Sequence, residues 1–250
     1  MSNKISKIIP FRKQRFKPYT ATFMGHTLHV HDHASFRLGR NELFREQVYK
    51  FDSDSKTPYI IDCGSNMGLS VIYFKSLFPA ARILAFEADP YIFSFLEKNV
   101  ESFQFKEVTL VNKAVWDSGE QSLSFLAEGG AGGRLQERDD GQFKMIEVKT
   151  ARLRDYLDQE IDFLKIDIEG AEYKVLADCK EKLGQIKNLF IEYHSMEQAE
   201  QELHLILEMV HDAGFRYHIK EAYTTPLPFL ERKLNLGMDL QLNIFCYRPG

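Results

Sequence analysis

The stretch Asp62-Cys63-Gly64-Ser65-Asn66-Met67-Gly68 directly follows the apolar run Tyr59-Ile60-Ile61. Behind it, Met67 to Phe78 carries a helical pattern that Pro79 stops. A strand running into a glycine turn and then a helix reads as a ligand-binding element. In α/β sheets, ligands sit beyond the carboxyl ends of the strands, at turns of this kind. Gly64 and Gly68 let the backbone come close to a ligand. A dinucleotide fingerprint would read G-x-G-x-x-G, but Asn66 stands in the place of the middle glycine. Asp62 adds a carboxylate that would repel a pyrophosphate and suits a ligand bearing an ammonium and a sulfonium. Glu87 ends the next strand, 19 positions after Gly68. An acid about 20 residues on is the spacing that binds a ribose.

Working outward, the chain alternates strands and helices. The segment 82–88 (RILAFEA) reads as the second strand. Asp89-Pro90 supplies an N-cap and a first helical residue for a helix through Val100. The third strand is expected over 108–115 and the fourth over 161–168. A helix follows from about Ala171 to Leu183, with Gly184 as its stop. The fifth strand is expected over 188–193, and Ser195 could cap a helix that Gly214 ends. The segments 215–220 and 242–248 lack a helix between them and read as an antiparallel pair. Continuous apolar strands in βα units imply a mostly parallel sheet covered on both faces. The expected architecture is α/β and Rossmann-like, with seven strands and one antiparallel strand at the edge. Residues 1–50 are expected to form an N-terminal extension that could cap the acceptor site, and 51–250 the catalytic domain. The glycine-rich loop 128–134 (EGGAGGR) and the segment 222–238 could also cover the pocket.

Composition narrows the classes. The chain has 250 residues, 44% of them hydrophobic, enough for one large core. Its net charge of −4 gives no overall attraction for nucleic-acid phosphates. Basic residues before Lys17 are the local exception. Cys63, Cys179 and Cys246 are odd in number and far apart, so no disulfide framework or zinc knuckle is expected. A cytoplasmic protein is expected, with no secretory signal and no transmembrane segment.

The segments 111–125 (VNKAVWDSGEQSLSF), 162–176 (DFLKIDIEGAEYKVL) and 190–195 (FIEYHS) resemble the FkbM family of methyltransferases. The most distinctive match is LKIDIEGAE, 164–172. The stretch 41–51 (NELFREQVYKF) resembles the family as well, so the similarity covers about residues 40–215. The resemblance implies a class I methyltransferase fold and S-adenosylmethionine as methyl donor, leaving S-adenosylhomocysteine. It also implies transfer to a hydroxyl of a sugar, a glycolipid or a polyketide-like natural product, so the partner is a small-molecule or glycan acceptor. Carried over, Asp62, Gly64, Asn66 and Gly68 match the donor turn. Glu87 matches the ribose acid, with Ala88 beside it. Asn112 falls near the adenine, and Asp167 matches the acid closing the fourth strand.

An alcohol is a poor nucleophile while protonated, so a base within hydrogen-bond reach helps. His194 is the expected general base, since an unperturbed imidazole titrates near neutrality. Asp167 is expected to bind donor or orient the acceptor. Glu169 and Glu172 read as acids facing a helix dipole. Asp167, Glu169 and His194 could also ligate a divalent ion. Nothing in the sequence fixes ligand geometry, and no metal is expected. His29, His31 and His33 alternate, which would put them on one strand face. Asp167-Ile168-Glu169-Gly170 stands where base-modifying enzymes carry a proline-rich turn, which counts against a nucleic-acid methyltransferase. Two further classes compete: an NAD-dependent oxidoreductase, against which Asn66 counts, and a donor-binding module without turnover.

Overall fold

The computed structural model describes residues 16–118, 122–127, 134–135 and 144–248. The chain opens with a hairpin, β1 (Tyr19–Phe23) and β2 (His26–Val30), then α1 (His33–Arg40) and a short π turn, Asn41–Arg45. The βα series follows: β3 (Tyr59–Cys63), α2 (Leu69–Leu77), β4 (Arg82–Phe86), α3 (Pro90–Ser102) and β5 (Val108–Val111). Next come β6 (Ala114–Trp116), β7 (Ser122–Ala127), β8 (Arg134–Leu135) and β9 (Lys144–Arg152). The chain closes with β10 (Ile161–Ile166), α4 (Glu172–Cys179), β11 (Ile186–Met196), α5 (Leu203–Asp212), β12 (Arg216–Thr224) and β13 (Met238–Tyr247).

The main sheet has seven strands in the order β12-β13-β11-β10-β3-β4-β5. Strands β11, β10, β3, β4 and β5 pair in parallel, and β13 runs antiparallel to both β11 and β12. The expected hairpin at this edge is present.

Successive residues of a strand face opposite sides, and the core divides accordingly. Ile61, Leu164 and Ile191 pack with Val175 of α4 and Ile206 of α5. Their neighbours Ile60, Phe163 and Phe190 pack on the other face with Phe74 of α2 and Leu96 of α3. Leu28, Val30, Phe36 and Tyr49 belong to this second cluster. The N-terminal segment is thus built into the same core as the sheet.

Several expected elements differ in detail. The third strand divides: β5 stays in the main sheet and β6 joins a four-stranded sheet with β9, β7 and β8. Asn112 marks the break, because its side-chain amide turns back to the carbonyls of Glu87 and Ala88 at 2.9 and 3.2 Å. Strand β9 had no counterpart in the sequence reading. Helix α4 ends at Cys179, and 3-10 turns continue through Gln185. Ser195 caps no helix: β13 pairs with β11 as far as Met196, which holds Ser195 in the ladder opposite Leu240. Helix α5 begins only at Leu203. The three alternating histidines do not share a strand face. Strand β2 ends at Val30, Asp32 caps α1 by accepting from the Ser35 N–H, and His33 lies inside the helix. Residues 128–133 of the glycine-rich loop and the basic residues before Phe16 lie outside the described residues.

Candidate active site

A cavity of about 440 Å³ opens at the carboxyl ends of β3, β4, β10 and β11. That volume falls within the usual range for small-molecule sites. One side of it is made largely of backbone. Gly64, Asn66 and Gly68 all have positive φ. A Cβ on Gly64 would stand 1.9 Å from the Asp167 carbonyl oxygen, so only glycine fits. The N–H groups of Gly64 and Ser65 both donate to the Phe86 carbonyl, at 3.0 and 2.8 Å. Gly68 carries the turn into α2 and lies beneath the lining, against Leu96.

Glu87 closes β4 and lines the cavity. Its two carboxylate oxygens accept from the N–H groups of Asn66 (2.8 Å) and Asp89 (2.9 Å). Burial pushes its pKa up to about 7, against the pull of those two hydrogen bonds. Asp89 caps α3 as expected, accepting from the Tyr91 and Ile92 N–H groups. Ala88 lines the cavity. Asn112 does not; it fixes the Glu87–Ala88 backbone from behind. Asn66 is held by His31, whose Nε2 lies 2.8 Å from its side-chain oxygen.

Asp62 differs from expectation. It is fully buried and does not line the cavity. Its Oδ2 accepts from Ser70 at 2.5 Å, and its Oδ1 lies 3.2 Å from the Lys165 ammonium. Lys165 is the hub here. It donates to the carbonyls of Gly64 (2.7 Å) and Cys63 (3.3 Å) and reaches Asp167 Oδ2 at 3.2 Å. Burial alone would lower its pKa, but Asp167 and Asp62 outweigh that and keep it charged. Asp62 therefore shapes the turn through Lys165 instead of meeting a ligand directly.

The opposite side is made of side chains. Glu42, Asp167, Glu169 and Glu192 line it, with Tyr49, Tyr223 and Gln241. Over the whole cavity the acids are Glu42, Glu87, Asp89, Asp167, Glu169 and Glu192, against the bases Lys113 and Lys165. Burial, with Asp167 and Glu46 adding to it, raises Glu42 to about 7. Glu172, in the first turn of α4, accepts from the Gly170 N–H at 3.0 and 3.1 Å. It also meets His194 Nδ1 at 2.8 Å.

His194 does not fit the expected general base. Its side chain is 1% exposed and lies behind the cavity wall. Burial lowers its pKa, but Glu169, Glu172 and Glu192 outweigh burial and hold it well above the usual imidazole value. A buried imidazole held by Glu172 at Nδ1, with its pKa pushed up by surrounding carboxylates, is poorly placed to take a proton from a molecule in the cavity.

The sequence reading missed Lys165, Glu42, Glu192 and Gln241. Two of these had a signal. Lys165 is a lone lysine within the apolar strand 161–166, and Glu192 lies two residues before His194, on the same strand face. Glu42 comes from a segment whose place over the sheet only the fold sets, and Gln241 from β13, whose pairing with β11 brings it beside Glu192.

A mostly parallel α/β sheet with one reversed strand and an acid-rimmed glycine turn defines the class of S-adenosylmethionine-dependent methyltransferases. The description "Methyltransferase FkbM domain" matches residues 62–217, more than half of the chain, which therefore belongs to this family. The chain is 28% identical to Methyltransferase sdnD of Sordaria araneosa over 209 residues, covering 70% of this chain and 80% of that protein. It is 27% identical over 168 residues to the 2-O-methyltransferase NoeI of Sinorhizobium fredii, covering 59% and 68%. Among solved structures it resembles the methyltransferase FkbM from Methylobacillus flagellatus, with a TM-score of 0.53 and 14% identity. That likeness covers 84% of this chain and 48% of the other. The chain is a methyltransferase, with S-adenosylmethionine as its cofactor. No helix among the described residues is long and apolar enough to cross a membrane.

Proposed function

We propose that this methyltransferase acts on a hydroxyl oxygen of a sugar, a glycolipid or a polyketide-like natural product. The observation that carries the reading is the asymmetry of the cavity: a backbone-built turn with Glu87 on one side, a carboxylate wall on the other. A cavity holding six acids and two lysines favours a cationic donor and disfavours a phosphate-rich acceptor. The 2-O-methyltransferase named among the relatives supports oxygen as the target.

The donor supplies an electrophilic methyl group that the acceptor oxygen displaces from sulfur in line. The chain's residues position the partners, which is where much of the rate of such a displacement comes from. Gly64, Asn66 and Ala88 present backbone to the donor, Gly68 carries the turn, and Glu87 accepts hydrogen bonds from its ribose. Asp62 and Asn112 support this side from behind. Lys165 holds the turn and Asp167 in one arrangement. Asp167 lies between the two sides and orients the acceptor hydroxyl. With donor and acceptor bound, methyl transfer to the hydroxyl oxygen would leave the S–C electron pair on sulfur, and a carboxylate of the Glu42–Asp167–Glu169–Glu192 wall would take the hydroxyl proton. The segment 33–49, the end of β12 and the connection after it cap the acceptor, since Glu42, Tyr49, Tyr223 and Leu236 border the cavity.

The test is S-adenosylhomocysteine release from the purified protein with panels of free sugars, glycolipids, hydroxylated polyketides and RNA. Release with a hydroxylated small molecule or glycan, and methyl recovered on oxygen, is the expected result. Release with RNA alone would overturn the reading.

A further inference from the structure

We propose that Asp167, Glu192 and His194 form a divalent-cation site at the carboxylate wall of the cavity, with His194 reaching it from behind. One ligand atom from each lies within 4.8 Å of the others. The separations have a characteristic value. His194 Nε2 stands 3.9 Å from Asp167 Oδ1 and 4.0 Å from Glu192 Oε1. Glu169 Oε2 lies 3.6 Å from the same nitrogen. These distances are too long for hydrogen bonds. They match atoms sharing one ion, which at bonds of about 2.0–2.2 Å stand roughly 3–4.4 Å apart.

The surroundings are those of a ligating imidazole. A metal-binding histidine donates its other ring N–H to a carboxylate, which fixes the ring and its tautomer. Here Glu172, itself 2% exposed, holds Nδ1 at 2.8 Å and leaves Nε2 facing the acids. Asp167 is divided in the same way. Lys165 engages its Oδ2, and its Oδ1 faces His194. The pair Glu192 and His194 projects from one face of β11, and Asp167 follows the neighbouring strand β10, so rigid sheet positions the set.

One side chain competes for the position. The Gln241 amide nitrogen touches Glu192 Oε1 and stands 3.3 Å from His194 Nε2. Ion uptake would displace that amide and release the imidazole proton. One imidazole with carboxylates suits Mn²⁺, Fe²⁺ or Zn²⁺ better than Ca²⁺. If the O-methylation reading holds, the ion would polarise the acceptor hydroxyl beside the wall. That consequence rests on the proposed function, whereas the binding itself does not.

The experiment is a titration of chelator-treated full-length protein with Mn²⁺, followed by electron paramagnetic resonance, with no donor or acceptor present. Zn²⁺ then competes. We expect one saturable Mn²⁺ per chain. Glu192→Gln and His194→Gln should each weaken it at least about tenfold. Glu87→Gln should leave it unchanged, and Gln241→Ala should tighten it about threefold or more. Melting curves check that each variant folds; if His194→Gln does not, Glu192→Gln and Gln241→Ala decide. No saturable uptake by the wild type, or equal uptake by Glu192→Gln, overturns the site. Methyl transfer to a hydroxyl that persists in excess chelator would leave the proposed function standing without the ion.

Discussion

The two halves of the cavity are built from different materials. The proposed donor half is backbone: the β3–α2 turn, its glycines, and N–H groups that grip Glu87. The proposed acceptor half is side chain, with acids from the π turn (Glu42), the end of β10 (Asp167) and β11 (Glu192). Backbone sites depend on local conformation, and the same conformation serves whatever acceptor is used. Side-chain sites depend on which distant segments meet. Lys165 joins the halves, with one hand on the turn carbonyls and the other on Asp167.

The sharpest way to break this division is at the joint. Lys165→Met leaves Asp62 and Asp167 without their buried counter-charge. Removing one partner of such a pair costs about 3–5 kcal/mol, so thermal unfolding should drop steeply. A melt close to wild type would mean the two acids do not need the lysine. Next in size is Gly64→Ala. A methyl there meets the Asp167 carbonyl and the residue keeps φ of 89°, which should cost more than about 2 kcal/mol. Donor affinity should fall with it, read by calorimetry.

Substitutions in the acceptor half should separate binding from turnover. Asp167→Asn should keep donor affinity within about threefold while kcat falls at least about a hundredfold, the pattern of a group that acts in the transition state. Loss of donor affinity instead would move Asp167 to the donor half. The smallest effect concerns pH. Burial raises Glu87 to about 7, above its unfolded value of 4.5. Its contribution to folding stability is therefore present below about 4.5 and lost as pH rises through 7. Donor binding has the opposite sign, because ribose hydroxyls donate to the charged carboxylate. Affinity should rise by up to about tenfold from pH 6 to 8. Glu87→Gln should flatten that rise; an unchanged slope would assign it to another group.

The same contrast explains what was legible in the sequence. The meeting of the glycine turn and Glu87 at one cavity could be read because glycine, strand periodicity and the Glu87 spacing are local signals. Asp89-Pro90 gave the start of α3 for the same reason. Ser195 misled, because a good capping residue was overridden by pairing with β13, a strand 45 positions further along. His194 misled because its chemistry is set by Glu169, Glu172 and Glu192, not by the imidazole alone. Asp62 was expected to face a ligand, but the buried lysine that meets its carboxylate lies 103 positions away. Glu42 lies in the stretch 41–51 that resembles the family, but no local pattern gives it a role, and the packing of Phe36, Leu43 and Tyr49 into the core brings it to the cavity.

The most direct test is calorimetric titration of S-adenosylmethionine into the wild type and Glu87→Ala at pH 8. One equivalent should bind to the wild type. The variant, with an unchanged melt, should bind at least about tenfold more weakly, as expected for a lost charge-assisted pair of hydrogen bonds. No binding to the wild type, or equal affinity in both, would contradict the assignment of the β3–α2 turn and Glu87 as the donor site.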